Sequence, residues 1–192
     1  DKGIGIYATD SAIISNVGTI NVTKGIGYVV NGVSATLGTN TITLNTGDAS
    51  NYSIGGYYKG VNGTINLPTV TQGDYSIVAA IEGGSNTVSV PVNVGLAGGA
   101  NQVGLYINSA TTTLANNVET TGDDNIGIYA DQGNITMNGN IKTNDSSETV
   151  DKSKASIGIY VKGGILIDSS NIIKSGANTI AVYGENSTVN VN

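Results

Sequence analysis

The stretch "NIGIYA", residues 125–130, returns along the chain as "GIGIYA" at 3–8, "QVGLYI" at 102–107, "SIGIYV" at 156–161 and "TIAVYG" at 179–184. Aligned on the first apolar residue, the motif starts at Ile4, Ile26, Ile54, Ile77, Val103, Ile126, Ile157 and Ile180, with spacings of 22, 28, 23, 26, 23, 31 and 23 residues. A recurrent unit near 22 residues falls in the range of stacked-repeat architectures. Leucine-rich repeats share that length but need a recurring leucine framework, and none is present. Each unit instead holds three short strand-like pieces, such as "IGIYA" at 4–8, "AII" at 12–14 and "TINV" at 19–22. Later units repeat a second or third piece as "TITL" at 41–44, "TINL" at 64–67, "NITM" at 134–137 and "TVNV" at 188–191. Three strands and three turns in so few residues make one coil of a solenoid. The expected fold is therefore all-β, a right-handed parallel β-helix of about eight coils, spanning 1–192 as a single segment. At about 4.8 Å per coil the rod is roughly 38 Å long.

Alternation within the motif predicts two faces. Positions one, three and five (Ile4, Ile6 and Ala8; Val103, Leu105 and Ile107) are expected in the core. Positions two and four are expected outside, which places Gly5 and Tyr7, Gly55 and Tyr57, Gly104 and Tyr106, Gly127 and Tyr129, Gly158 and Tyr160, and Ala181 and Tyr183 on the surface as a tyrosine ladder beside a glycine track. On this assignment an aspartate at Ile126 or at Ile159 buries an unpaired charge.

Composition narrows the function. Of 192 residues only 11% are charged and 28 are glycine, against roughly 25% and 7% in ordinary soluble domains. Fourteen acids face eight lysines for a net charge of −6, and arginine and histidine are absent. Nucleic acid and anionic membrane surfaces are bound by clustered basic residues, which this chain lacks. With no cysteine there is neither a disulfide framework nor a thiolate metal site. No signal peptide shows at the start and no apolar run approaches a membrane helix. The pattern begins and ends mid-repeat, so the chain reads as a piece of something longer.

The repeats "GIGIYA", "NVGTINVTKGIG" (16–27) and "NNVETTGDDNIGIYA" (116–130) resemble the passenger domains of large type V autotransporter adhesins of the bacterial outer membrane, most closely those of fusobacteria. The likeness runs over essentially the whole chain. It implies a β-helical stalk exported through a C-terminal barrel not present in this sequence and displayed on the cell surface. The stalk would attach to host cells, through a glycan or protein receptor, or to a surface molecule of another bacterium. The expected function is that of a cell-surface adhesin segment, with a pure spacer as one alternative.

A carbohydrate-active β-helix enzyme, a polysaccharide lyase or hydrolase, is the other alternative, because parallel β-helices also carry such activities. Glycoside hydrolysis needs two carboxylates facing one bond, and the nearest pair is Asp123 and Asp124 in one glycine-containing turn. With no His, Cys or Arg, the usual acids, bases and nucleophile activators are mostly missing, so no catalytic residue is assigned. The acids between Thr120 and Asp151 could attract calcium, but no recognisable calcium pattern accompanies them, and neither a metal nor another cofactor is expected. The Asn-X-Ser/Thr sequons carry no claim in so Asn- and Thr-rich a chain. Candidate ligand-binding residues are Tyr106, Tyr129, Tyr160 and Tyr183, whose rings are apolar with a polar tip, and Asp123, Asp124, Asp145, Glu148 and Asp151. The long coils place insertions near 45–53, 95–101 and 143–156, all just before the next motif. The longest should leave the rod between Lys142 and Ser156 as a mobile acidic loop next to Tyr129 and Tyr160.

Overall fold

A computed structural model of the chain describes residues 3–9, 13–14, 18–32, 36–37, 41–96, 99–146, 155–169 and 173–191. These form strands and turns without a helix. The first strands of successive coils are β1 (Ile4–Thr9), β4 (Ile26–Asn31), β7 (Ser53–Lys59), β10 (Ser76–Glu82), β13 (Gln102–Asn108), β16 (Ile126–Asp131), β19 (Ile157–Lys162) and β22 (Ile180–Glu185). They make one eight-stranded sheet in chain order, every pair parallel. Ile4, Ile26, Ile54, Ile77, Val103, Ile126, Ile157 and Ile180 stack in register, as the spacing predicts. The chain is a right-handed parallel β-helix of about seven turns.

Two further faces complete the coil. The second strands form a pair, β2 (Ile13–Ile14) with β5 (Thr36–Leu37), and a separate six-stranded sheet of β8 (Gly63–Ile65), β11 (Ser85–Val88), β14 (Thr111–Leu114), β17 (Asn134–Met137), β20 (Ile165–Asp168) and β23 (Thr188–Val191). The third strands fall into two separate stacks. One is β3 (Thr19–Val22), β6 (Thr41–Leu44) and β9 (Thr69–Gln72); the other is β12 (Val92–Val94), β15 (Val118–Thr120), β18 (Ile141–Thr143) and β21 (Ile173–Lys174).

Positions three and five do fill the core. Leu105, Ile107, Ile128, Ala130, Ile159 and Val161 are wholly buried against Val94, Leu114, Val118, Ile135, Met137 and Ile141 of the other two sheets. Positions one and two depart from strict alternation. Gly127 is buried, and a Cβ built on it would point inward, 2.5 Å from Val118 Cγ1, while Ile126 is only half-buried. Glycine and the residue after it thus both face the interior, and position one turns outward. The ladder registers pass from position one to position three, Val103 on Ile126 and then Leu105 on Ile128, without pairing the glycines between. The physical reason is a bend in the strand. The same absent Cβ would lie 2.4 to 2.8 Å from the position-two carbonyl oxygen of the next coil at Gly5, Gly27, Gly55, Gly104, Gly127 and Gly158. Removing the side chain lets the strand turn the corner with its neighbour's backbone packed directly on it. The outward neighbour of the tyrosine ladder is therefore an aliphatic row, not a glycine track, and Ile126 is not a core residue.

The corners repeat as faithfully as the strands. The residue six places after each motif start has a left-handed backbone in every described coil: Gly32, Gly60, Gly83, Ser109, Gln132, Gly163 and Asn186. In five of the eight coils the residue before the motif start is a polar side chain turned inside. Ser53, Ser76, Gln102, Asn125 and Ser156 have at most 1% exposure and satisfy the turn. Ser76 Oγ donates to Gly73 O at 2.6 Å, Ser156 Oγ donates to Gly122 O at 2.7 Å, and Asn125 Nδ2 donates to Thr121 O at 2.7 Å and Gly99 O at 2.9 Å. Buried polar groups persist where such partners exist. Tyr28 and Tyr58, in contrast, are core tyrosines whose hydroxyls lack a hydrogen bond, and Gly56 leaves the room that the Tyr58 ring occupies.

The third sheet divides between β9 and β12, where both prolines of the chain, Pro68 and Pro91, sit just before the strand. There Val78 stands at position two, where glycine is the rule, beside Val70, Val90 and Val92. Its half-buried side chain stands where most other coils have none and lines an opening between β9 and β12. The Gln102 carboxamide bridges the division: its Oε1 accepts the Gly95 N–H at 2.9 Å, and its Nε2 donates to Gly73 O at 3.3 Å and Gln72 O at 3.4 Å. It acts as an extra peptide unit between the two stacks.

Candidate functional site

Tyr106, Tyr129, Tyr160 and Tyr183 pair in register on the outer side of the first sheet. Their ring centroids are 5.5, 4.9 and 5.0 Å apart, with interplanar angles of 47°, 34° and 74°. That spacing is one strand separation, so each ring lies against its neighbour in the ladder. Two hydroxyls along the outward row are engaged as well. Tyr57 donates to Glu82 and Tyr160 donates to Glu185, in each case one coil ahead. The second half of the ladder is thus a stiffening stack.

These contacts set the electrostatics. Burial, reinforced by the bond to Glu82, pushes the Tyr57 hydroxyl up to about 12. The bond to Glu185, with burial behind it, likewise raises Tyr160. Burial raises Tyr106 and Tyr129, with Asp131 the next cause for both. The Tyr57 bond in turn lowers Glu82. Because the folded state holds Tyr57 above its ordinary value, its contribution to stability is complete below pH 10 and is lost as pH rises from about 10 to about 12. We expect the alkaline phenolate absorbance titration of the native chain, minus that of Tyr57→Phe, to show a step centred near pH 12. A step at the ordinary tyrosine value would mean that Tyr57 is neither buried nor bonded to Glu82 in solution.

The acidic candidates lie elsewhere, along the corner where all three insertions leave: between β6 and β7, between β12 and β13, and between β18 and β19. The first insertion is an ordered turn. Asp48 Oδ1 accepts the N–H groups of Ser50 at 2.9 Å and Asn51 at 2.8 Å, and its other oxygen pairs with Lys24 Nζ at 2.9 Å. The Lys24 bond, then the Ser50 N–H, draw the Asp48 carboxyl down to about 2. Tyr52 and Tyr75 meet edge to face at the same corner, 5.9 Å apart.

The third insertion starts later than its length predicts. Asn144 N donates to Thr120 O at 2.8 Å and Ser146 N donates to Ala177 O at 3.0 Å, so residues 143–146 still belong to the stack. Asp145 is exposed, but its Oδ1 accepts the Ala177 N–H at 2.7 Å, and Ser146 Oγ donates to Asp123. Asp123 and Asp145 therefore work as corner groups joining neighbouring coils. Asp124 takes a left-handed backbone two residues before its motif, like Lys24, Tyr75, Asn101 and Asn178. Glu148 and Asp151, with the rest of 147–154, lie outside the described residues. The structure brings the four tyrosines together, and it brings Asp123 to the coil of Asp145, but the two groups stand on opposite sides of the position-one row.

One feature of the outer face has no counterpart in the periodicity. Position four is Ala80 in β10, paired in register with Tyr57 on one side and Tyr106 on the other. The missing ring leaves a recess of about 280 Å³, lined by Ile26, Ile54, Ile77, Tyr57, Tyr106 and Glu82 among others. Its signal in the sequence is plain in retrospect, as "SIVAAI" at 76–81 lacks both the glycine and the tyrosine.

Compared with known proteins, the chain matches no family model, no curated protein and no solved structure.

Proposed function

We propose that this segment is part of the displayed stalk of a bacterial surface adhesin, exported and anchored through parts of a longer chain, and that it attaches to a host-cell receptor or to a surface molecule of another bacterium. The observation that carries this reading is the insertion corner. The three long coils carry their extra residues in the same connection, between the third strand of one coil and the first strand of the next, and in repeat proteins insertions gathered on one face commonly form the binding face. On this reading the segment does no chemistry; the rod provides length and stiffness, and the edge provides contact. The mutually stacked tyrosines favour a structural part for the second half of the ladder and direct attention to the corner.

Beads coated with the segment should bind epithelial or bacterial cells, and deletion of 147–154, with Ser146 joined to Ala155 through a short glycine linker, should reduce attachment severalfold. The melting temperature should stay nearly unchanged, because an excursion contributes little to the stacked core. Undiminished attachment by a folded deletion variant would leave this excursion without a role. Absence of attachment by the intact segment would reduce it to a spacer.

A further inference from the structure

The Ala80 recess is more than a defect in the ladder. Tyr57 and Tyr106 belong to coils two apart, so their backbones stand about 9.6 Å from one another, with one rung missing between. A group centred in that gap takes the place of one rung, and rungs elsewhere in the ladder keep ring centroids 4.9 to 5.5 Å apart, inside the roughly 6 Å within which a cation is attracted to an aromatic ring. The floor is Ile54, Ile77 and the Ala80 methyl; polar groups enter only at the rim, as Glu82 and Asn108. Glu82 is held in its charged form by the Tyr57 hydroxyl, and Tyr106 also feels Asp131 and Glu82. Lys59 sits 3.6 Å from Glu82, but both side chains are well exposed, and such a pair contributes little and yields readily to a competing cation.

We propose that this recess binds a quaternary ammonium group, the trimethylammonium of a choline head group. Two tyrosines flanking the gap, with a carboxylate among the lining residues, suit a cation that is apolar on its outside. The aliphatic floor decides between this and the other small guests. A primary ammonium centred in the gap would lose the water on its three N–H donors and find acceptors only to one side, at Glu82 and Asn108, and a pyranose would place hydroxyls against the isoleucines. A trimethylammonium group has no donor to satisfy. The proposal stands whether or not the rod is adhesive, because it concerns a recess away from the insertion corner and is tested on the isolated segment.

The test is a titration of the segment with choline chloride, followed by isothermal calorimetry and by saturation transfer to the N-methyl protons. It is run beside choline's neutral carbon isostere dimethylbutanol and beside methyl glucoside. Choline should bind at least about tenfold more tightly than the neutral isostere, the difference expected of a desolvated cation between two rings. Ala80→Tyr restores the missing rung at the spacing the other rings already use, so it should keep the fold and weaken choline at least about tenfold. If Ala80→Tyr does not fold, Tyr106→Leu, which removes one wall, should show the same loss. Equal binding of the isostere, preference for the glucoside, absence of choline binding, or binding unchanged in a folded variant would each overturn the assignment.

Discussion

Ile159→Asp is expected to unfold the segment at room temperature, whereas Ile126→Asp should leave it folded. The two isoleucines occupy positions three and one of successive motifs. Ile159 has no exposed surface and packs within the core cluster, while Ile126 is half-buried on the outer side of the bend. An unpaired carboxylate at position 159 would have no water and no partner, a cost of at least about 4 kcal/mol even after its protonation is favoured. That is comparable with the whole stability of a domain at the lower end of the usual 5–15 kcal/mol. At position 126 the carboxylate reaches solvent, and the loss is the aliphatic contact with its stacked neighbours, about 1 kcal/mol. Urea melts followed by far-ultraviolet circular dichroism check both. Equal destabilisation would mean that position one faces the core after all.

Gly127→Ala should be nearly as disruptive for a single methyl group. The new Cβ would stand 2.5 Å from Gly158 O and 2.5 Å from Val118 Cγ1, one a backbone atom of the next coil and the other a core side chain. Neither can withdraw without opening the sheet or the core, so a loss of about 3 kcal/mol is expected, at the upper end for overpacking. The native chain supplies a precedent: where Val78 replaces the glycine, the third sheet does not continue from β9 to β12. Gly127→Ala is thus expected to weaken the pairing of β15 with β18, read as faster amide exchange at Ile141 and Thr143 than in the second sheet. Exchange unchanged in both sheets, with stability retained, would show that the close approach of the coils is not needed.

The parts of this structure that repeat were legible in the sequence, and the parts that interrupt the repeat were not. The eight motif starts, their common register, the outward tyrosines and the corner from which the insertions leave all follow from period and spacing, because stacked coils must present like positions to like positions. The inward glycine was missed because alternation assumes a straight strand, and a residue without a side chain gives no hint of which way it faces. The inward row of Ser53, Ser76, Gln102, Asn125 and Ser156 was within reach, since a polar residue precedes most of the motifs; only pairing it with turn carbonyls explains it. The bridging part played by Gln102 depends on a division in the third sheet set by Val78 and the two prolines, a long-range effect that no local pattern encodes. Composition placed Asp145 in a supposed loop, and the backbone returns it to the corner that holds Asp123.

The arrangement of all eight coils is open to one distance measurement. The chain has no cysteine, so Tyr7→Cys and Tyr183→Cys, both at exposed sites on the first sheet, can carry spin labels for pulsed dipolar spectroscopy. Seven rungs at about 4.8 Å place the two sites about 34 Å apart, and labels at positions 7 and 106, four rungs apart, should read about 19 Å. Narrow distributions at these two values, in a ratio near seven to four, are what an in-register rod gives. A mean under about 20 Å for the outer pair, or a distribution too broad to fix a value, would contradict it.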